Sequence, residues 1–466
     1  FFKRFPMTQT IPLSRRGVLA GLSSVLALAA CAQTGYVAPK ADAGTAFAGN
    51  SPARRAGANA WWAAFRDKQL DALIAAGLQR NLDVLTAVAT INEAQANARL
   101  VGARDLPQAD VSGAAGRARV QSGMIAETSS ATLGVSWLID LFGQNRAARE
   151  GASARLDAAY LSAEVSRLTV ASAIAQAYVD ARYYQQALAL TRQSLDSRKR
   201  SLAMTRTQDA FGSATRLEVL QAEQLVTQAE AAAPALEVGF DQSVNRLATL
   251  TAGRSAQIAA QLRRGGGQPR AAYKASVGVP AEVIRARPDI RMAERNLAAA
   301  AAGVGEAEAA FYPKLTLSGT VTPTNISGGG SAKSWSFGPQ ITLPLFTGGA
   351  NRANLSAAQA RAEQARLGWQ AAVLNAVEEV ENALAGYNRD ARAVAAQSRL
   401  VENARETVGL TRSAYELGEA DFFPVLDAER SLLAARQELA AALRDQAVNF
   451  VKLSAAAAGG VGVPAI

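Results

Sequence analysis

Two regions of this chain alternate apolar residues with small polar ones. Leu315, Leu317, Gly319 and Val321 interleave with Thr316, Ser318, Thr320 and Thr322. After a polar gap from Asn325 to Ser334, Trp335, Phe337, Ile341, Leu343 and Leu345 interleave with Ser336, Gly338, Gln340 and Thr342. Earlier, Leu133, Val135, Trp137, Ile139 and Leu141 interleave with Thr132, Gly134, Ser136 and Asp140, behind a less regular stretch from Val111 to Gln121. A period of two sends successive side chains to opposite faces of a strand. Four strands are therefore expected, at about 109–121, 131–142, 314–323 and 334–346, in two hairpins. An apolar face backed by Ser, Thr and Gly suits a strand with lipid on one side and water on the other. Taken singly, each segment also fits a half-buried soluble hairpin.

Elsewhere the period is helical. It holds from about Asp67 to Arg104, where Pro107 breaks it, and from about Pro280 to Ala310, ahead of Phe311-Tyr312-Pro313. Each hairpin precedes a far longer run, about 145–207 and 351–416. At 1.5 Å per residue these helices approach about 100 Å, more than a soluble globular core needs. Gly212 and Gly418 end them, as residues that accept a left-handed backbone. Returning helices follow at about 213–250 and 420–456, the second with Leu432, Leu439, Leu443 and Phe450 along one face. Pro234 is expected to kink or break the first of them. Trp61, Trp62 and Phe65 open the folded part as local core against the first helix.

These elements come twice. At an offset of about 206, Asp83 recurs as Asp289, Pro107 as Pro313, Asn145-Arg146 as Asn351-Arg352, and Arg206 as Arg412. Gly212 likewise recurs as Gly418, and Ala222-Glu223 as Ala428-Glu429. A period this long marks two copies of one large unit, not a solenoid. The expected organisation is a first repeat at 67–250, an irregular equatorial connecting segment at 251–279, a second repeat at 280–458, and a tail at 459–466. Four strands are too few to close a membrane barrel, for which about eight is the minimum. An open strand edge in lipid leaves backbone groups unpaired, so several chains must share one barrel.

Composition narrows the chemistry. The chain has no histidine and one cysteine, which excludes His-based acid–base catalysis, a disulfide within the chain and a Cys/His zinc site. No pair of carboxylates stands apart from the helical surface pattern, so no enzyme, cofactor or metal is expected. Arg15-Arg16, the apolar run from Gly17 to Ala30 and Leu28-Ala29-Ala30-Cys31 read as a lipoprotein export signal over residues 1–30, with Phe1 to Pro6 upstream of Met7. Lipid is expected on Cys31, and residues 31–66 are read as anchor and extended tether. Ser14-Arg15-Arg16 also resembles a twin-arginine signal, although a strand-inserting protein is better exported unfolded by the general route. Removing Lys3, Arg4, Arg15 and Arg16 takes the formal charge from +10 to +6. That excess is scattered among acids on helical faces, without the basic stripe of a nucleic-acid reader.

Several segments together resemble a known family: Trp137 to Arg146, Arg285 to Glu294, Phe311 to Gly319, Leu343 to Arg352 and Tyr415 to Gln437. With Cys31, they are similar to TolC-like outer-membrane factors, in the NodT-type lipoprotein subgroup that serves drug and metal efflux pumps. The resemblance implies a mixed α/β membrane protein, a homotrimer with a 12-stranded β-barrel on a 12-helix α-barrel. It implies a location in the outer membrane, lipid-anchored and reaching into the periplasm, with an adaptor and an inner-membrane RND-type pump as partners. It implies passive conduction of drugs or other small toxic compounds, with no chemistry in the chain.

The resemblance also implies roles for residues. Phe423, Asp427 and Arg430 match a periplasmic gate, in which three copies of Asp427 ring a constriction and favour cations. Glu419 and Asp421 add to the acidic mouth, while Gln221 and Gln224 stand at the gate positions of the first repeat. Asp near a helix start is favourable without any gate. Arg206, Gly212, Arg412 and Gly418 mark the turns where adaptor hairpins dock, and glycine capping alone also explains the glycines. Two other readings remain: the duct of a protein secretion system, and a periplasm-spanning structural lipoprotein without a pore.

Overall fold

The computed structural model describes residues 60–119, 125–271, 283, 285–327 and 330–457. Cys31, the signal, most of the tether and the tail after 457 lie outside the described residues. The first half holds α1 (Lys68–Arg80), α2 (Leu82–Gly102), β1 (Gln108–Arg119), β2 (Ile125–Ile139), α3 (Gln144–Ala210) and α4 (Arg216–Thr251). After α5 (Ser255–Arg263), the second half holds α6 (Pro288–Ala309), β3 (Lys314–Ile326), β4 (Gly330–Thr342), α7 (Ala350–Glu416) and α8 (Phe422–Ala456). The repeat read from the sequence is thus a repeat of elements. Helices α3 and α7 have 67 residues each, and both their starts and their ends lie 206 positions apart. The repeated asparagines do the same work in both copies. Asn145 Nδ2 donates to the Arg104 carbonyl at 3.3 Å, and Asn351 Nδ2 to the Ala310 carbonyl at 3.0 Å.

The chain divides into two compact units, one of which contains Glu93–Asp157 and Glu294–Leu367. Its centre is a four-stranded antiparallel sheet in the order β1-β2-β3-β4. The β2–β3 ladder holds one register but skips Ala131 opposite Pro323 and Thr132 opposite Thr322. Proline has no N–H to give a ladder. The side chains bridge the gap, since the hydroxyls of Thr132 and Thr322 lie 3.0 Å apart. Pro339 lies in β4, an edge strand, where the missing donor is tolerated. Small residues let α3 and α6 approach closely: a Cβ added to Gly151 would touch Ala302, and one on Gly305 would touch Ala147.

The other unit is helical, and its main core joins six helices, Val84 being the contribution of α2. Leu70 and Ile74 of α1, Ile174 and Tyr178 of α3, Phe240 and Leu247 of α4, Ile258 and Leu262 of α5, and Phe450 of α8 meet there. Trp61 and Phe65 belong to the same core, and Phe65 packs edge-on to Phe450 at 5.3 Å. Arg182, only 2% exposed, donates to the Tyr178 hydroxyl at 3.0 Å, the Leu262 carbonyl at 2.9 Å, and Gln69. Tyr178 in turn donates to Asp67 at 2.5 Å, so a carboxylate one hydroxyl away balances the buried guanidinium. Arg287 is buried as well. It holds Asp289 at 2.7 Å, Glu379 at 2.6 Å and the Ala456 carbonyl at 3.0 Å. Burial pulls its pKa down, but hydrogen bonds and charge from Asp289 and Glu379 more than offset this and raise it.

Several boundaries differ from the sequence reading. The first helix is two, because Asn81 closes α1 and caps α2: its Oδ1 accepts from the amides of Asp83 and Val84. Helix α4 runs unbroken through Pro234. Buried Val226, Ala229, Phe240 and Val244 anchor it on both sides, which outweighs one lost backbone bond. The connecting segment is not wholly irregular, since α5 lies within it and buries Ile258 and Leu262; its residues 272–279 are outside the described set. Strand β2 begins at Ile125 rather than 131, and both β2 and β4 stop short of the leucines expected to end them. Of the helix expected from 280, Val283, Arg285 and Ala286 are helical, Arg287 interrupts, and α6 begins at Pro288, where a missing N–H is harmless.

Candidate functional site

Strand register gives the sheet two distinct faces. One row runs Val111, Leu133, Val321, Trp335 across all four strands, and the next runs Ala109, Val135, Gly319, Phe337. Ile139, Leu315 and Ile341 continue the same face. Phe337 lies over Gly319, where an added Cβ would come within 3.2 Å of its ring. A hollow of about 450 Å³ on this face is lined by Leu133, Val135, Trp137, Leu317, Trp335 and Phe337 among others. The opposite face carries Ser112, Thr132, Thr322 and Ser334 in one row, and Gln108, Ser136, Ser318 and Gly338 in another. Thr320 and Ser336 share a hydrogen bond of 2.8 Å on that polar side. Trp335 and Ile341 are more than 70% exposed in the single chain. An apolar surface this continuous calls for a nonaqueous neighbour.

The helix pairs α3–α4 and α7–α8 end in identical turns. The amides of Gly212 and Ser213 bond to the carbonyls of Asp209 and Gln208; those of Gly418 and Glu419 bond to Tyr415 and Ala414. This pair of bonds needs a left-handed residue, and both glycines have φ of 75°. Beyond the turn the copies diverge. Thr215 and Glu218 cap α4 reciprocally, whereas the Asp421 side chain makes no capping bond to α8. Between the two hairpins a small core forms from Leu202, Val219, Leu225, Phe422, Val425 and Leu426.

Two ion pairs close these hairpins at equivalent positions. Arg206 Nη2 lies 2.7 Å from Glu223, and Arg412 Nη2 lies 2.7 Å from Glu429. The first pair is open to solvent, and the hydrogen bond from Arg206 draws the Glu223 carboxyl below its ordinary pKa. The second is sunk in the core between hairpins. There Glu429 also accepts from Ser197 at 3.2 Å and Ser201 at 3.4 Å, both on α3. Tyr415 of α7 donates to Gln208 of α3, a further link between hairpins. Burial pushes the nearby Arg198 pKa down, and its Nη1 donates to the Leu225 carbonyl at 2.8 Å.

Phe423, Asp427 and Arg430 fall at helical spacing on one exposed face of α8, while Phe422, Leu426 and Glu429 point into the core. Glu419 and Asp421 are exposed at the turn just before that face. Arg430 takes no part in the buried network, which uses Arg412 and Glu429 instead. The sequence carried a signal for that pair, because an arginine and a glutamate 17 residues apart recur in both repeats. Among the described residues no carboxylate cluster is arranged to hold a metal.

Comparison with known proteins agrees with this layout. The outer membrane efflux protein family matches residues 73–253 and 279–459, one match to each repeat. Nodulation protein T of Rhizobium leguminosarum bv. viciae is 40% identical over 417 residues, covering 88% of this chain and 86% of that protein. Outer membrane protein OprJ of Pseudomonas aeruginosa is 32% identical over 430 residues, 89% of each chain. The solved structure of the outer-membrane channel OprN superposes with a TM-score of 0.84 at 28% identity, over 92% of this chain and 98% of that one. With its two repeats, two-faced sheet and paired long helices, the chain belongs to the outer membrane efflux protein family of TolC-like channels, a family of conduits and not of enzymes.

Proposed function

We propose that three copies of this chain close one 12-stranded barrel in the outer membrane, continuous with a barrel of 12 helices in the periplasm. The observation that carries this reading is the sheet: among the described residues, four strands, two contrasting faces, and edges β1 and β4 each paired on one side only. In lipid such edges need partners, and identical chains supply them by joining β4 of one copy to β1 of the next. The Ser/Thr/Gly face then lines water and the Leu/Trp/Phe face meets lipid.

Conduction is passive. An inner-membrane RND-type pump and its periplasmic adaptor deliver drugs or other small toxic compounds, and the duct releases them outside. Lipid on Cys31 tethers each copy to the outer membrane. At the helical tips, three Asp427 side chains ring the lumen beside Phe423 and Arg430, and Glu419 and Asp421 extend the acidic mouth, favouring cations. The turns at Arg206–Gly212 and Arg412–Gly418 receive the adaptor. Single-channel recording in planar bilayers tests this reading. Discrete, cation-selective steps are expected, with selectivity weakened in Asp427→Asn; absence of steps from a folded, inserted protein would contradict it.

A further inference from the structure

Charge on the sheet is sorted by face, and oppositely at its two ends. Near the helices, Asp110 of β1 and Lys314 of β3 lie on the Ser/Thr/Gly face, in line with Ser112 and Thr316. Near the strand turns, every charged residue lies on the apolar face instead. Arg117 stands opposite Glu127, Arg119 opposite Ile125, and Lys333 opposite Pro323, one row beyond Trp335. The polar face at that end holds Gly116, Ala118, Ala126, Thr128, Thr324 and Ala332, without a charge. The sequence between the paired strands, at 120–124 and 328–329, has none either.

Three cations and one carboxylate beside an apolar band need a reason. A strand end standing in plain water gains nothing from that placement, and the polar face would hold the same charges at less desolvation cost. Glu127 engages Arg117 at 3.2 Å, with both side chains more than half exposed, so the surplus is positive. Long Arg and Lys stems lie along apolar surface while their heads reach the interface, and Trp335 occupies the rim position aromatic residues favour. We propose that Arg117 and Arg119, at the β1 edge, and Lys333, at the β4 edge, form contacts for the phosphate groups of anionic lipid at the membrane surface. This rests on reading the sheet as membrane-spanning.

The test uses the full chain in phosphatidylcholine vesicles containing a minor fraction of diphosphorylated lipid A. Flotation measures membrane association, and mass spectrometry of lipids retained after mild detergent extraction measures selectivity. The wild-type protein is expected to enrich lipid A over phosphatidylcholine at least about threefold. The triple variant R117Q/R119Q/K333Q should float equally well and lose the enrichment, R117K/R119K should keep it, and millimolar inorganic phosphate should not compete. Equal enrichment with and without the three cations, while both proteins float, overturns the headgroup site and leaves the membrane reading standing. Full competition by inorganic phosphate marks a free-anion site and overturns the lipid assignment. Failure of both proteins to float removes the membrane reading, and the headgroup contact with it.

Discussion

Arg412 donates across its hairpin to Glu429, 17 residues further along the chain, at 2.7 Å, and the carboxylate it reaches is only 6% exposed. The equivalent pair in the first repeat, Arg206 and Glu223, has the same separation but lies in solvent. One geometry therefore serves two different electrostatic roles. Removing Arg412 strands a buried charge, whereas removing Arg206 frees a hydrated one. Arg412→Ala is expected to loosen its tip by about 2–4 kcal/mol, with the Ser197 and Ser201 hydroxyls limiting the loss. Hydrogen exchange of amides around 411–425 should speed at least about tenfold. Arg206→Ala should leave its own turn nearly unchanged, as exposed pairs contribute little. Equal responses at the two tips would show that burial of Glu429 does not set its role.

The two turn glycines isolate backbone strain from packing. Nothing lies near an added Cβ at Gly212 or Gly418, so a substitution there meets only the φ of 75°. Alanine at either position is expected to cost about 1–2 kcal/mol, and asparagine less, since it tolerates the left-handed region. Chemical denaturation followed by helical circular dichroism should rank Gly above Asn above Ala at both sites.

Gly239 in α4 presents the opposite case, where space decides. An added Cβ would sit 2.4 Å from the ring of Tyr184. Gly239→Ala should destabilise by about 1–3 kcal/mol through overpacking. Adding Tyr184→Leu should recover a large part of that loss in thermal melts, which a purely conformational effect of alanine would not allow.

Asp180 supplies a pH signature. Burial raises its pKa above 3.8, partly opposed by Arg444 and reinforced by Asp445. A folded-state pKa above the unfolded value means the folded form holds the proton more tightly. The stabilising contribution is thus complete below the unfolded pKa near 3.8 and is lost as pH rises through the folded value. Asp180→Asn, which cannot ionise, should therefore melt higher than wild type at neutral pH, with the advantage fading as pH drops toward the unfolded value. A constant difference across that range would argue against burial as the cause.

Much of this architecture was legible because the chain states it twice. Leu133 to Ile139 and Leu315 to Val321 alternate cleanly, so the strands and their faces followed from pattern. The start of β2 did not, because Ala126 to Ser130 holds no alternating apolar residue; pairing with β1, and with β3 from Thr128 on, extends the strand there. The alternation runs past the end of β2 because Asp140 continues it by type, yet the Asp140 carboxylate accepts from the Arg146 amide at the start of α3. Asn81 sits within a continuous helical pattern, although a single cap suffices to divide a helix. The gate candidates rest on the family resemblance alone, while the buried bond of Glu429 depends on three helices meeting. The recurring 17-residue spacing signals the Arg412–Glu429 pair, but no local pattern encodes its burial.

The most direct measurement concerns the two free edges of the sheet. Cysteine pairs scanned along β1 and β4 in the detergent-purified protein and oxidised should form disulfides between copies. At the matching register, denaturing gels should show a ladder that stops at three chains. Only single chains at every register, from protein whose native mass is that of one copy, would contradict a shared barrel.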